Sequence, residues 1–242
     1  NALMCTFDDL VSSKLDKTLT PINEILQSDF FKEVPLDLFG INKNNLLSII
    51  SDAPKKVTAF INSLIEISQN YNLGKERFYF AVMRSFQELY DNYFPEIEEK
   101  SIQFADENNR KLNIDLKTET LEILLKEKFG YELRSENFAE DEALNKLRSL
   151  FIPEKKLLLL NERLDINQKI FILGKEIGFN VLKLNPRPNT YSWLDFGSFE
   201  EILNNFYASY FAGCLLISKK DLIEKHSDFF YQKDWNSNQF EN

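Results

Sequence analysis

Residues 199–217 carry apolar side chains at a spacing of three and four, which fits one face of an α-helix and excludes a β-strand. Ser198 and Glu201 form a capping box that predicts where this helix begins. Its opposite face is small or polar, at Asn205, Ser209, Ala212 and Gly213. We therefore expect a long, largely buried helix that allows a second element to approach its small face closely. The apolar face comprises Phe199, Ile202, Leu203, Phe206, Tyr207, Tyr210, Phe211, Cys214 and Leu215.

Other parts of the chain add helices and a small sheet. The apolar spacing predicts helices over 74–93, 95–110 and 117–128, and further helical stripes occur at 10–26 and 57–67. Pro153-Glu154-Lys155 separates two short apolar runs, which is typical of a hairpin. With 7 Gly, 7 Pro and 22 Phe, the composition favours helix with rings in the interior. The fold class predicted is α+β, predominantly α-helical, with a small antiparallel sheet.

A further helix follows the hairpin, with a core stripe predicted at Ile166, Ile170, Leu173 and Ile177. Lys175 and Phe179 are expected on its other side. We divide the chain into a helical region at 1–93, a second domain at 94–225 and a tail at 226–242.

Charge and cysteine usage restrict the function classes. A net charge of −9 and the absence of a long basic patch disfavour direct binding of nucleic acid by these residues. Cys5 and Cys214 give no disulfide framework, and no apolar run is long enough to span a bilayer, so we predict a cytoplasmic protein. Leu3 follows Asn1-Ala2 without an initiator Met, which predicts that the chain begins inside a longer gene product.

The segment 171–182, FILGKEIGFNVL, has the outline of a zinc peptidase helix without its histidines. Such a helix places two imidazoles one turn apart to hold the ion, with a glutamate beside them as the general base. Here Glu176 is kept, while Lys175 and Phe179 stand where the histidines are required. His226 is the single histidine of the chain, so no other pairing restores the motif. No metal or cofactor is expected.

These segments resemble the ImmA/IrrE family of bacterial metallopeptidases, over residues 80–225. The family's F-x-L-A-H-E-x-G-H helix is matched by Phe171, Leu173, Glu176 and Gly178, with Gly174 in place of the alanine. A second family helix is matched by Ala208, Phe211, Ala212, Leu215 and Leu216. The resemblance implies zincin-like helices packed on a sheet, and it puts Asn205 where the third zinc ligand, a glutamate, is expected.

The segment Tyr210–Leu216 is similar to the form of this helix in XRE-type regulators, in which a helix-turn-helix DNA-binding domain lies upstream. The resemblance therefore implies a regulator that contacts DNA through an upstream domain and acts as a homodimer. It also implies a pseudo-metallopeptidase whose former cleft senses a small effector, such as an acyl-CoA-like metabolite, or a protein partner. The candidate ligand-binding residues are Lys175, Phe179, Asn205, Arg187 and Ser209.

Two other functions remain open from the sequence. One is an active or residual metalloprotease with an unusual ligand set, and the other is a purely structural dimerisation domain. Arg187 either binds an anionic ligand or is an exposed loop residue. Glu176 can instead have a structural role, as the ion-pair partner of Lys175 or of a nearby arginine. His226 is expected to cap a helix end at the surface.

Overall fold

A computed structural model of the chain describes residues 36–40, 75–108, 117–140, 144–188 and 197–217, with 219, 222–224, 227 and 231. These residues fall into two compact units, one within 1–93 and 196–199 and the other within 94–195 and 200–242. The division at 93 and 225 drawn from the sequence stays a prediction. The stripes at 10–26 and 57–67 lie outside the described residues, as do Cys5 and His226.

The first unit contains helix α1, Lys75–Leu89, and a short 3-10 helix, Leu36–Phe39. Tyr79, Met83 and Phe86 recur at spacings of four and three and are buried, as an amphipathic helix requires. The ring of Phe86 meets that of Phe39 edge-on, with centroids 6.3 Å apart. The helix predicted over 74–93 is present, with an earlier end.

The second unit begins with helices α2, Pro95–Glu107, and α3, Thr118–Phe129. Pro95 occupies the first turn of α2, where the missing N–H has no intrahelical partner to lose. Gly130 ends α3 in the left-handed conformation, and the Tyr131 N–H donates to the Leu125 carbonyl at 3.0 Å. The turn at Gly130 directs the chain from α3 into the sheet.

The sheet has three strands in the order β1, β3, β2, namely Glu132–Glu136, Leu157–Asn161 and Ser149–Ile152 respectively. The predicted hairpin is present, because β2 pairs antiparallel with β3 across the turn Pro153–Lys155. The expectation of a wholly antiparallel sheet is wrong, since β1 runs parallel to β3. The two parallel strands are separated by a long crossover, and the local hairpin signal carries no information about such a pairing. The α+β class, with mostly helical content, is confirmed.

Helix α4, Ile166–Val181, follows the sheet and begins at Asp165, whose side chain accepts from the Gln168 N–H at 2.8 Å. The buried residues of α4 do not follow the predicted stripe along one side of the helix. Ile166 is 66% exposed, whereas every residue from 172 to 179 is buried. The first turn of α4 projects into solvent and the later turns are enclosed on all sides, so Lys175 is buried like its neighbours.

Helix α5, Phe199–Leu216, lies against α4 through small residues. A Cβ placed on Gly174 would lie 3.4 Å from the Ala212 Cβ, and one on Gly178 would lie 2.9 Å from the Ala208 carbonyl oxygen. The absence of side chains at these glycines lets the two helices approach closely. Of the small face on which a close approach was expected, Ala212 shows it, whereas a Cβ on Gly213 would meet no atom within 4 Å. Within the described ranges, no helix has the length and apolarity to cross a membrane.

Candidate functional site

The Glu176 carboxylate is fully buried in α4 and lies at the centre of a polar network. Its Oε2 accepts a hydrogen bond from the Tyr131 hydroxyl at 3.0 Å and another from Arg187 Nη1 at 3.0 Å. Asn180, one helical turn further on, donates from Nδ2 to the Glu176 carbonyl oxygen at 2.7 Å. A buried carboxylate is tolerated in a protein when it is paired and hydrogen-bonded, and here both conditions are met.

The Tyr131 hydroxyl uses its whole hydrogen-bonding capacity within this network. It donates to Glu176 and accepts from Asn180 Nδ2 at 2.9 Å and from Arg187 Nη1 at 3.0 Å. Burial, together with the nearby Glu176 carboxylate, raises the pKa of Tyr131 to about 12. The hydroxyl therefore stays protonated at neutral pH and fixes the carboxylate in one orientation.

Arg187 reaches Glu176 from the loop that follows α4. Its guanidinium lies over the Phe151 ring, 3.3 Å from the centroid, and 5.1 Å from that of Phe179. Only 13% of its side chain is exposed. A guanidinium suits this place because its flat faces stack on rings while its edge binds a carboxylate. The structure thus places Arg187 in the site as a buried cation, and the interpretation as an exposed loop residue is wrong.

Lys175 is buried next to Glu176 in the sequence, with a relative exposure of 6%. Burial lowers the pKa of Lys175 to about 7, although the Glu176 carboxylate acts in the opposite direction. At neutral pH the ammonium is therefore easily deprotonated, in contrast to a lysine at the surface. The cation that hydrogen-bonds the Glu176 carboxylate within the network is Arg187, at 3.0 Å.

A zinc ion does not fit the residues at the motif positions. Phe179 offers no ligand atom, Lys175 is a buried amine, and Asn205 offers a neutral amide. The oxygen Oε2 of Glu176 is held by two donors, one of them a cation. Among the described residues, no three His, Cys, Asp or Glu side chains are grouped so as to hold a metal ion.

Asn205 and Ser209 lie one turn apart on α5. The Ser209 hydroxyl donates to the Asn205 carbonyl oxygen at 2.7 Å, which is a bond within the helix. The side-chain oxygen Oδ1 of Asn205 is buried and has no hydrogen-bond partner among the described residues. A buried amide oxygen without a partner is uncommon in folded proteins.

A cleft of about 470 Å³ opens beside the Glu176 network. Phe179 and Arg187, two of the predicted ligand-binding residues, line it, and Tyr131, Phe151, Lys156 and Lys183 contribute the other ring and charged surfaces. Lys175, Asn205 and Ser209 are not among its lining residues. Phe179 therefore forms one wall of an open space and does not fill it.

A second, mostly apolar groove of about 830 Å³ lies between α2, α5 and residues 219 and 222–224. Cys214 lines it and is half-buried, so the sequence-based placement of Cys214 in the core is wrong. The Tyr210 hydroxyl donates to Glu98 at 3.1 Å at its edge. This groove is larger than the cleft, but it contains no group comparable to the buried ion pair of Glu176.

Two members of the network, Tyr131 and Asn180, are absent from the residues selected by sequence. Asn180 is detectable in principle, because it lies four residues after Glu176 on the same helical face. Tyr131 lies 45 residues before Glu176, and no local pattern indicates that the two meet. Only the pairing of β1 with the hairpin brings them together.

Comparison with known proteins identifies the second unit. Residues 126–241 match the family model described as the IrrE N-terminal-like domain. Among solved structures, a Mycobacterium tuberculosis transcriptional regulator is similar, with 15% identity and a TM-score of 0.47. That match covers 62% of this chain and 44% of the regulator, so the chain spans less than half of its length. A search of curated proteins finds no significant match. The match to the IrrE N-terminal-like domain over residues 126–241 agrees with the family resemblance that the motifs in the sequence predicted.

Proposed function

We propose that this chain is the regulatory part of a bacterial transcription regulator, in which a peptidase-like domain without its metal site binds a small effector. The proposal includes DNA contact through an upstream domain and a homodimeric assembly. Effector binding would change the relative population of two arrangements of the regulator, and so its affinity for DNA. The acyl-CoA-like metabolite implied by the family resemblance is one candidate effector.

The observation that carries the proposal is the ion pair between Arg187 and Glu176 at the edge of an open cleft. In a metallopeptidase of this type the glutamate must reach a metal-bound water. Here an arginine and a tyrosine donate to its Oε2, and the two histidine positions hold Lys175 and Phe179. The scaffold with its closely packed helices remains, and beside it lies a space of a size suited to a small molecule.

Two measurements test the loss of peptidase chemistry. Elemental analysis of protein purified without chelator should find no stoichiometric zinc, and peptide hydrolysis should not exceed that of a Glu176→Gln variant. Stoichiometric zinc together with hydrolysis that Glu176→Gln abolishes would overturn the proposal and support the metalloprotease alternative.

Effector binding is tested by thermal unfolding with a panel of metabolites that includes acyl-CoA esters and neutral compounds. At least one compound should raise the Tm of the wild-type chain, because a ligand that binds the native state stabilises it. Asn185 is exposed at the rim of the cleft, so Asn185→Trp should obstruct entry and suppress that shift. Lys155→Trp, on an exposed residue that does not line the cleft, is the matched control. A panel without any stabilising compound would support the structural dimerisation alternative instead.

A further inference from the structure

The cleft beside Glu176 has a charge opposite to that of the chain. The whole sequence has a net charge of −9, yet Lys156, Lys183 and Arg187 all line this cleft. None of the described residues that line it is an aspartate or a glutamate. A concave site with cations on its walls attracts anions by its local field, even on an acidic protein.

Both lysines occupy backbone positions that favour another residue type. Lys156 has φ of 47° in the turn before β3, and Lys183 has φ of 55° directly after α4. At Lys183 the Leu184 N–H donates to the Phe179 carbonyl at 3.0 Å and the Lys183 N–H to that of Asn180 at 3.2 Å, a Schellman motif. Glycine or asparagine is favoured in this left-handed position. Backbone geometry therefore does not explain the two lysines. The Lys156 ammonium donates to the Phe129 carbonyl oxygen at 3.1 Å, and both lysines also line the cleft.

Arg187 contributes a donor that has no acceptor among the residues that the structure describes. Its Nη1 is held by Glu176 and Tyr131, but its Nη2 is buried without a hydrogen-bond partner among the described residues. Buried guanidinium nitrogens usually have partners, because an unmade bond costs the desolvation of the group. Because Nη2 is itself buried, a ligand anion in the cleft accepts from it only when the guanidinium shifts towards the opening, while Glu176 keeps Nη1.

The remaining walls suit a flat or apolar group. Tyr131 and Phe151 stack with centroids 5.2 Å apart and an interplanar angle of 27°, and Phe179 adds a third ring to the lining. Sites for small molecules typically combine such apolar walls with a few directed polar groups. Glu176 already offsets the charge of Arg187, so Lys156 and Lys183 supply the excess positive charge of the cleft. Two positive charges attract a dianion more strongly than a single carboxylate, because the Coulomb energy scales with the charge of the ligand.

We propose that this cleft binds a phosphoryl dianion, with Lys156 and Lys183 supplying charge and Arg187 Nη2 supplying the directed hydrogen bond. Arg187 then bridges the ligand and Glu176, so that the former peptidase glutamate holds the ligand-binding arginine in place. The inference rests on the proposed function and names the chemical class of its effector. Free inorganic phosphate and an organic phosphate monoester share this chemistry.

Calorimetric titration of the full chain at constant ionic strength tests the proposal with three probes, namely phenyl phosphate, inorganic phosphate and phenol. Phenyl phosphate should bind at least about 10-fold more tightly than phenol, because charge-assisted hydrogen bonds form only with the anion. If inorganic phosphate binds less tightly than phenyl phosphate, the aromatic walls contribute and the source is an organic phosphate. Equal affinity of the two would support free phosphate as the ligand. Phenol binding as tightly as phenyl phosphate would overturn the proposal.

Charge-neutral variants locate the site. Lys156→Gln and Lys183→Gln should each weaken phenyl phosphate binding by about 3- to 10-fold, the range of partly screened ion pairs. Lys155→Gln removes the same charge from the adjacent exposed residue, which does not line the cleft, and should change the affinity by less than about 2-fold. An equal loss in Lys155→Gln and Lys156→Gln would show non-specific attraction and overturn the proposal.

Arg187→Lys tests the bridge, because lysine keeps the charge but cannot serve two acceptors with a planar fork. It should lose more affinity than Lys183→Gln while keeping its far-ultraviolet circular dichroism spectrum. One outcome is that the phosphate probes do not bind, while a neutral metabolite raises the Tm of the wild type but not of Asn185→Trp. In that case the phosphoryl inference fails and the proposed function stands. If nothing binds, both fail.

Discussion

Arg187 Nη1 lies 3.0 Å from Oε2 of Glu176, and the two side chains form a largely buried ion pair in the centre of the polar network. The pair joins the centre of α4 to the loop that follows it, across eleven residues of sequence. A cation supplied by the protein thus neutralises the glutamate. This relationship accounts for the stability of a fully buried carboxylate in α4, and four predictions concern it and its surroundings.

The first prediction concerns the pair itself. Glu176→Gln leaves the Arg187 guanidinium without its counter-charge and should lower the free energy of unfolding by about 3 kcal/mol. The double variant Glu176→Gln with Arg187→Met removes both charges and should recover part of that loss. Urea unfolding monitored by circular dichroism measures both values.

An exposed pair provides the control for that measurement. Arg134 and Glu132 bond at the surface of β1, with more than half of each side chain exposed. Glu132→Gln should therefore change the free energy of unfolding by less than about 1 kcal/mol. Equal losses from Glu132→Gln and Glu176→Gln would contradict the special role of the buried pair.

The second prediction follows from the pKa of Lys175, which burial lowers from 10.5 to about 7. Between these two values the unfolded chain binds more protons than the folded one, so the stability rises with pH. Below pH 7 both states are protonated and the full cost of the buried charge remains. From pH 7 to pH 9 the wild type should gain about 2 kcal/mol relative to Lys175→Met, which has no titrating group at this position.

The comparison ends at pH 9 because Cys214 acts in the opposite direction above it. Burial and the Glu98 carboxylate raise the pKa of the Cys214 thiol from 9.0 to about 11, so the folded state keeps that proton longer and loses stability as the pH rises. Unfolding free energies of both chains at pH 7, 8 and 9 give the slopes. Parallel slopes for the two chains would mean that Lys175 does not titrate in this window.

The third prediction concerns the Tyr131 hydroxyl, which joins Glu176, Asn180 and Arg187. Tyr131→Phe keeps the ring against Phe151 but removes the oxygen, and it should cost about 1–3 kcal/mol because buried donors on the partners lose their acceptor. Tyr231→Phe, at a tyrosine that is 88% exposed, is the matched control and should leave the stability unchanged. Thermal unfolding of both variants measures the difference. Similar Tm values for the two would contradict a stabilising role of the Tyr131 hydroxyl.

The fourth prediction concerns the close approach of α4 and α5. Gly178→Ala places a Cβ 2.9 Å from the Ala208 carbonyl oxygen and 3.1 Å from Phe211, so it should destabilise the protein by about 1–3 kcal/mol through overpacking. Gly213→Ala meets no atom within 4 Å and should stabilise α5 by about 0.5–1 kcal/mol, the helix propensity difference. Opposite signs in urea unfolding are the expected result. A stabilising Gly178→Ala would contradict the close packing.

The sequence determined every element whose signal is local. Helical spacing and terminal signals placed α2 after Phe94, α3 before Gly130 and α5 after Ser198, because propensity and capping act within a few residues. The motif around Glu176 likewise indicated the domain family, because the matched residues of a motif can be read without a structure. The hairpin across Pro153–Lys155 belongs to the same class of local signals.

Tertiary structure alone decided the partners of these elements. The parallel pairing of β1 with β3, the exposure of Ile166, the burial of Lys175 and the meeting of Tyr131 with Glu176 all depend on contacts between distant segments. Periodicity shows that a helix has an apolar face, but it does not show how many neighbours surround the helix. Elements that precede α4 in the sequence and elements that follow it both pack against it. For the same physical reason, Arg187 was a loop residue in the sequence and became the counter-charge of Glu176 only in the folded chain.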